Sequence, residues 1–242
     1  MYNTMSHEEI RARIDAAICK NHSGKMAGFW SLSTSVKCNP LCAARAAHGE
    51  PIAVELENGE TVDASMICSK CYADAMTTRY KSLAAKLEEN TKLLSSVVLT
   101  AEDVPFINCA FFRFEAFGDL INETHAANYM TIAAANPHCT FTLWTKNPQY
   151  IRGALAAGAV KPANMIIILS SPFINVNVLS QKYAVIDDFI DKVFTVYDKA
   201  HAGDVVINCG GRKCAECRRC YKRENADAMT RDDIEIVNEL LK

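Results

Sequence analysis

Hydrophobic and polar positions along the chain fall into two alternating rhythms, one helical and one extended. Ser6-His7-Glu8-Glu9 opens the first, with Ser6 as cap and Glu9 at the reciprocal capping-box position. The spacing predicts a helix to about Cys19, ending near Asn21-His22-Ser23-Gly24. Cys19 falls on a mostly apolar stretch and is expected to be a packed core thiol. Gly28 to Ser35 alternates polar and apolar, as a strand with two unlike faces does. Tyr72 to Val98 returns to helical spacing: Met76, Tyr80, Leu83, Leu87, Leu94 and Val97 would share one apolar face of a single long helix.

Beyond residue 110 the rhythms alternate regularly. Ala110 to Ala116 predicts a strand ending in Phe117-Gly118-Asp119, and a helix follows from about Asn122 to Ala135, stopped at Asn136-Pro137. Thr140 to Thr145 is the next strand. Asn147-Pro148 then starts a helix, with proline at its first position and Gly158 past its end. Asn164 to Leu169 is apolar throughout, as in a parallel sheet covered on both sides. Lys192 to Tyr197 and Asp204 to Asn208 read as the last two strands, and Ile234, Val237, Leu240 and Leu241 as a closing helix.

Six strands with intervening crossovers imply an α/β fold. A parallel β/α barrel of the TIM type, partial and open forms included, suits it better than a Rossmann sheet. No G-x-G-x-x-G opens a helix, and polar residues gather at strand C-terminal ends. Residues 1–242 read as one domain. It carries a cysteine-loop insertion at about 43–67, whose Asn58-Gly59 signals an inserted hairpin, and a C-terminal cysteine loop at 209–220.

Composition narrows the picture slightly. A formal charge of −2 argues against a dominant attraction to nucleic acid but leaves room for a local basic patch. No apolar run approaches the ~20 residues a bilayer requires, so no membrane association is expected. Eleven cysteines and no secretory leader predict a reducing, cytoplasmic setting in which thiols stay free for metal.

The cysteines carry the chemistry. Cys209, Cys214, Cys217 and Cys220 fall in twelve residues, and Gly210-Gly211 gives the loop the freedom to turn the sulfurs to one point. Cys38 and Cys42, then Cys68 and Cys71, form a second group across the insertion. Four thiolates suit a [4Fe–4S] cluster or tetrahedral zinc, and spacing does not choose between them. A helix starting at Cys71 would favour a negative thiolate site through its dipole. Cys109 and Cys139 precede or begin strands at the opposite end of the barrel and read as structural. The six histidines show no zinc-enzyme spacing.

Period-two counting places Arg113 with Glu115, Thr142 with Trp144 and Lys146, and Thr195 with Tyr197 and Lys199 on common faces, suggesting a polar lumen. Arg113, Glu115, Lys146, Tyr197 and Lys199 form the candidate catalytic set. Gly118, Asp119, Thr145, Lys146, Asn147, Ser170, Ser171, Asp198 and Lys199 form the candidate cofactor-binding set at the strand ends. Singly each has a plain structural reading as a turn, a cap or a solvated charge; it is the set that suggests a site.

In order, Cys71-Tyr72-Ala73, Arg113-Phe114-Glu115-Ala116-Phe117-Gly118-Asp119-Leu120, Trp144-Thr145-Lys146-Asn147-Pro148, Phe194 to Lys199 and the final cysteine loop resemble the phage-encoded "gene product eighty-eight"-like proteins. More distantly they resemble radical-SAM-type barrels. The resemblance implies an iron–sulfur protein, with an acidic and glycine motif (Glu115, Gly118 and Asp119) where such barrels bind SAM. The chain departs by splitting its first cysteine group with twenty-five residues and supplying four thiols, which would close a cluster to SAM.

Two function classes follow. One is a redox enzyme with one or two [4Fe–4S] clusters passing electrons to a small-molecule substrate, or exchanging them with an electron donor or a second cofactor, flavin or SAM. Lys146 and Lys199 would suit a flavin phosphate. The other is a zinc-stabilised nucleic-acid-binding module using Arg212, Lys213, Arg218, Arg219, Lys222 and Arg223. The modest overall charge favours the first, with those cations offsetting a thiolate cluster.

Overall fold

The computed structural model describes residues 5–210, 212–223 and 234–241. The first helix, α1 (His7–Ala17), starts as the capping box requires: Glu9 N–H donates to Ser6 Oγ, and the Glu9 carboxylate accepts from Ser6 N–H at 2.8 Å. It ends two residues before Cys19, which is exposed in a short strand β1 (Cys19–Lys20) with Lys86 Nζ at 2.9 Å from its sulfur. The expectation of a buried Cys19 fails because β1 is an antiparallel edge strand outside the core.

The sheet has seven strands. After β1 come β2 (Trp30–Leu32), β5 (Phe111–Phe114), β6 (Thr140–Thr145), β7 (Met165–Ile174), β8 (Lys192–Tyr197) and β9 (Glu235–Leu240), each beside the next and parallel from β2 to β9. The α/β class and mostly parallel sheet are as the sequence suggests. A two-stranded hairpin, β3 (Ile52–Glu55) and β4 (Thr61–Ala64), stands apart and docks on β7 through Met66–Phe173 pairing and a small apolar core of Val54, Ala64 and Val176.

Register assigns the two faces. Leu32, Phe112, Phe114, Phe141, Leu143, Met165, Ile167 and Val193 share one face. They form the main core with Ile10 and Ile14 of α1, Leu93 and Leu94 of α4 (Lys81–Ser96), Tyr129 and Ile132 of α5 (Glu123–Ala134), and Ile151 of α6 (Pro148–Ala156). Phe114 stacks on Tyr129 at 4.0 Å between ring centres, so truncating it to alanine would cost about 3–5 kcal/mol. The opposite face carries Arg113, Thr142, Trp144, Ile166, Lys192, Glu235 and Glu239.

Several expectations give way. The helix over 72–98 is two, α3 (Tyr72–Arg79) and α4, broken at Tyr80 in extended backbone. Met76 and Tyr80, counted on the apolar stripe, are exposed, so the stripe has nothing to bury against in its first half. The closing helix is strand β9, because pairing with β8 along six residues outweighs the spacing of its apolar positions. Asp204 to Asn208 is bend and irregular backbone that bonds to Asn238 of β9. Within the expected insertion, residues 43–47 complete a helix, α2 (Pro40–Ala47), capped by Asn39, whose side chain accepts from Leu41 and Cys42 N–H. No described helix is long and apolar enough to cross a membrane.

Candidate metal centre and polar face

Glu115 follows β5 in left-handed backbone (φ 55°) and is buried. Its carboxylate accepts from Thr34 Oγ1 at 2.8 Å, Thr34 N–H at 3.1 Å and Tyr129 Oη at 2.7 Å, and His125 Nε2 stands 3.3 Å away. Gly118 (φ 84°) closes over it. These contacts tie the ends of β2 and β5 to α5 and leave the carboxylate turned into the protein.

Asp119 does similar work one strand on. Its Oδ1 accepts from Thr145 Oγ1 at 2.5 Å and Leu120 N–H at 2.8 Å, and its Oδ2 accepts from Lys146 N–H at 2.9 Å. Burial pushes Asp119 above the usual carboxylate range, against the pull of Lys146, Thr145 and Arg45. Asn39 Nδ2 donates to the Asp119 and Leu120 carbonyls, and Asn147 Nδ2 to Leu120. Asn147 holds the N-cap position of α6 without capping it by its side chain: Nδ2 is turned to Leu120, and Oδ1 is buried without a partner.

This knot presents α2, and with it Cys42, to the ends of β5 and β6. Burial raises the Cys42 thiol first, with Asp119 and Cys68 adding to it, while Lys146 and Arg45 oppose. Cys68, in a 3-10 turn (Ile67–Lys70), is raised by burial against Lys146 and Arg45, and Cys71 contributes in the same sense as burial. Cys42, Cys68 and Cys71 are therefore electrostatic neighbours, with Arg45 Nη2 anchored on the Lys146 carbonyl at 3.1 Å. Cys38 is exposed just ahead of α2.

The second group crosses the polar face. Cys209 pairs with Glu239 of β9, and Lys25 Nζ reaches the Cys209 sulfur at 3.0 Å and Glu239 Oε1 at 2.5 Å. A one-turn helix, α7 (Cys214–Cys217), and a 3-10 turn (Arg219–Tyr221) follow. Burial raises Cys209 and Cys214 and pushes Cys220 up to about 12, with Lys25 opposing it at the first two and Arg113 and Lys192 at Cys220. Cys217 acts on Cys209, so all four thiols share one neighbourhood. Lys192 Nζ, buried, donates to the Arg219 carbonyl at 2.9 Å and pairs with Glu235. Tyr221 lodges among Phe29, Phe111 and Trp144. The loop thus lies along the sheet from the end of β9 to the start of β8, rather than at a strand-end rim.

Arg113 lies between these features. Its guanidinium sits 4.0 Å from the Trp144 ring centre, its charge reaches Cys214 and Cys220, and its Nε is buried without a partner. Of the other expected residues, Tyr197 lies on the helix-covered face, opposite Arg113, with burial raising its phenol. Period-two counting inside one strand cannot choose between faces; register with neighbouring strands does. Ser170 and Ser171 are not at a strand end, because β7 runs on to Ile174, and Ser171 Oγ donates to the Val176 carbonyl at 2.7 Å. Asp198 accepts from Asn175 Nδ2 and the Ala200 and His201 N–H groups, stabilising a turn, and Lys199 is exposed.

Sequence reasoning missed Lys25, Arg45, Lys192 and Glu239. It also passed over a readable signal: Cys68-x-x-Cys71-Tyr72 and Cys217-x-x-Cys220-Tyr221 repeat one pattern. Each pair lies at a 3-10 turn, and Arg113 acts on both tyrosines.

Among the described residues no three Cys, His, Asp or Glu side chains converge closely enough to share a single metal ion. A cubane cluster spaces its thiolates more widely than one ion does, because four irons and four sulfides stand between them. A protein-family model, described as Gene product 88, matches residues 33–232. No curated protein and no solved structure matches the chain.

Proposed function

This chain belongs to the Gene product 88 family, and we propose that it is an iron–sulfur redox protein built on the wall of an open β/α barrel. One [4Fe–4S] cluster would be held by Cys42, Cys68 and Cys71 with Cys38 as fourth thiol, and a second by Cys209, Cys214, Cys217 and Cys220. The observation that carries this reading is the environment of both groups: thiols that, Cys38 apart, are gathered and at least half-buried beside cations, Lys146 and Arg45 in one case, Lys25, Arg113 and Lys192 in the other. Left as thiols, Cys42, Cys68, Cys209, Cys214 and Cys220 resist ionisation; an iron centre would supply the positive charge that makes thiolates stable there. All-sulfur donors suit iron–sulfur chemistry, and backbone and lysine N–H groups near sulfur tune it.

When bound, such clusters accept and release single electrons. The protein's own part is to hold the second of them beside the Arg113–Trp144 pair, whose guanidinium charge reaches Cys214 and Cys220 and would favour an anionic acceptor or a flavin phosphate nearby. SAM fits less well. The carboxylate that would receive its amino group, Glu115, is already taken by Thr34 and Tyr129. A nucleic-acid role is also disfavoured. Arg219 pairs with Glu235, Arg223 with Asp191, and Arg218 lies over Phe111, so these cations serve the fold.

The test is purification without oxygen. Brown protein with matching iron and acid-labile sulfide, whose visible absorption bleaches with dithionite, is the expected result. Colourless protein containing zinc, whose filled d shell gives no colour, overturns it.

A further inference from the structure

Three thiols take no part in either group: Cys19, exposed in β1, and a pair, Cys109 and Cys139. Cys109 precedes β5 and Cys139 precedes β6, and their sulfurs stand 3.7 Å apart at the N-terminal end of the sheet. β6 alone spans six residues, about 20 Å of strand, so this pair is well separated from Asp119, Lys146 and the thiols beside them. The backbone around the pair is fixed. Cys109 N–H donates to the Ile107 carbonyl at 2.9 Å, Cys139 N–H to the Asn136 carbonyl at 3.1 Å, and Asn164 Nδ2 to the Cys139 carbonyl at 2.8 Å. The sulfurs are therefore held as neighbours by the fold.

We propose that Cys109 and Cys139 form a reversible dithiol–disulfide site that reacts with low-molecular-weight disulfides of the glutathione type. A disulfide bond is ~2.05 Å long, so closing it needs the sulfurs to move together by about 1.7 Å, within the reach of side-chain rotation. The two are unequal. Cys109 is half-buried and solvent reaches it, whereas Cys139 is buried. The hydrogen bond between them lowers Cys109 and raises Cys139, which makes Cys109 the first to ionise and the attacking thiolate.

The steps balance. Cys109 thiolate attacks one sulfur of glutathione disulfide, breaking its S–S bond and releasing one glutathione thiolate. Cys139, losing its proton to solvent, then attacks Cys109 Sγ and releases the second. Two protein thiols are oxidised and one glutathione disulfide is reduced to two thiols. The resulting link encloses β5, the Glu115–Asp119 turn and α5, so oxidation at one end of the sheet clamps the segment that organises the other. In a reducing compartment such bonds are transient and sensing rather than structural.

The test equilibrates the full chain, purified anaerobically, with glutathione buffers of graded ratio, followed by alkylation, digestion and peptide mapping. A peptide pair joined through Cys109 and Cys139, two hydrogens lighter, should grow with the share of glutathione disulfide and vanish with dithiothreitol. Cys139→Ser should instead trap glutathione on Cys109. Glutathione retained on Cys109 of the unaltered chain without a joined pair overturns the proposal, as do both thiols remaining free at every ratio. Neither outcome depends on the presence of iron.

Discussion

Gly118 and Glu115 meet across the turn after β5: a Cβ placed on Gly118 would fall 2.6 Å from Glu115 Oε2. It would also fall 2.7 Å from the Thr34 carbonyl oxygen, which is backbone and cannot swing aside. With φ at 84°, a conformation L side chains rarely adopt, Gly118→Ala combines strain with overpacking. The variant should lose about 2–4 kcal/mol, read as a lower urea midpoint at unchanged slope.

Much of the sheet was legible in the chain, and the reasons are local. β6 was bounded correctly because a proline-containing turn, Asn136-Pro137, precedes it and Asn147-Pro148 follows it. The α1 capping box and the α5 cap Asn122 are written in side chains that act within four residues. What could not be read depended on distant partners. β9 has helical spacing but lies against β8, and only that pairing reveals a strand. Tyr197 and Arg113 each sit in a well-predicted strand, yet their faces follow from register across three intervening pairings. The cysteine groups were legible as residues; the cations beside them were not, since Lys25 and Lys192 approach only through the fold.

Lys25 offers a test of tuning. Its ammonium donates to the Cys209 sulfur at 3.0 Å, stabilising the more negative, reduced form of a cluster held there. Lys25→Met should lower that cluster's midpoint potential by roughly 50–100 mV, from the loss of one charge at an effective dielectric near 20. A spectroscopic redox titration reads this directly, and an unmoved potential would show that Lys25 acts only as a strut to Glu239.

Ligand identity separates the cysteines cleanly. Cys217→Ser should lower bound iron and sulfide and loosen the C-terminal loop, whereas Cys139→Ser should keep the full complement. Iron analysis of the two anaerobically purified variants is sufficient, and metal loss from the second would break the assignment of ligands.

The contact of α1 with the turn after α4 depends on pH. His7 Nδ1 lies 2.7 Å from Asp103 Oδ1, and that hydrogen bond raises His7 above its ordinary value. Burial pushes Asp103 up, but hydrogen bonds from Thr100 and His7 outweigh it and hold Asp103 below the usual range. His7's contribution is fully present below its unfolded pKa near ~6.5 and is lost as pH rises through the raised folded value. Asp103's is present above ~3.9 and is lost as pH falls through its depressed value. Stability from this contact should therefore be greatest between about pH 4 and 6.5 and decline towards pH ~8. In His7→Ala the decline should flatten, as urea midpoints at the two pH values will show.

The C-terminal loop and the strand that follows it depend on each other. Cys209 to Tyr221 leaves the ribosome before β9, and it crosses the polar face that β9 then borders. Until β9 docks, Glu235 and Glu239 are missing, and Lys192 and Lys25 face the loop without their counter-charges. Cys209 N–H donates to the Asn238 carbonyl of β9, so the first sulfur of the loop is seated only once that strand is paired. Loosening β9 would therefore unseat Cys209 and strip Lys25 and Lys192 of their carboxylates in one step, so the sheet's edge and the thiol loop should come apart together.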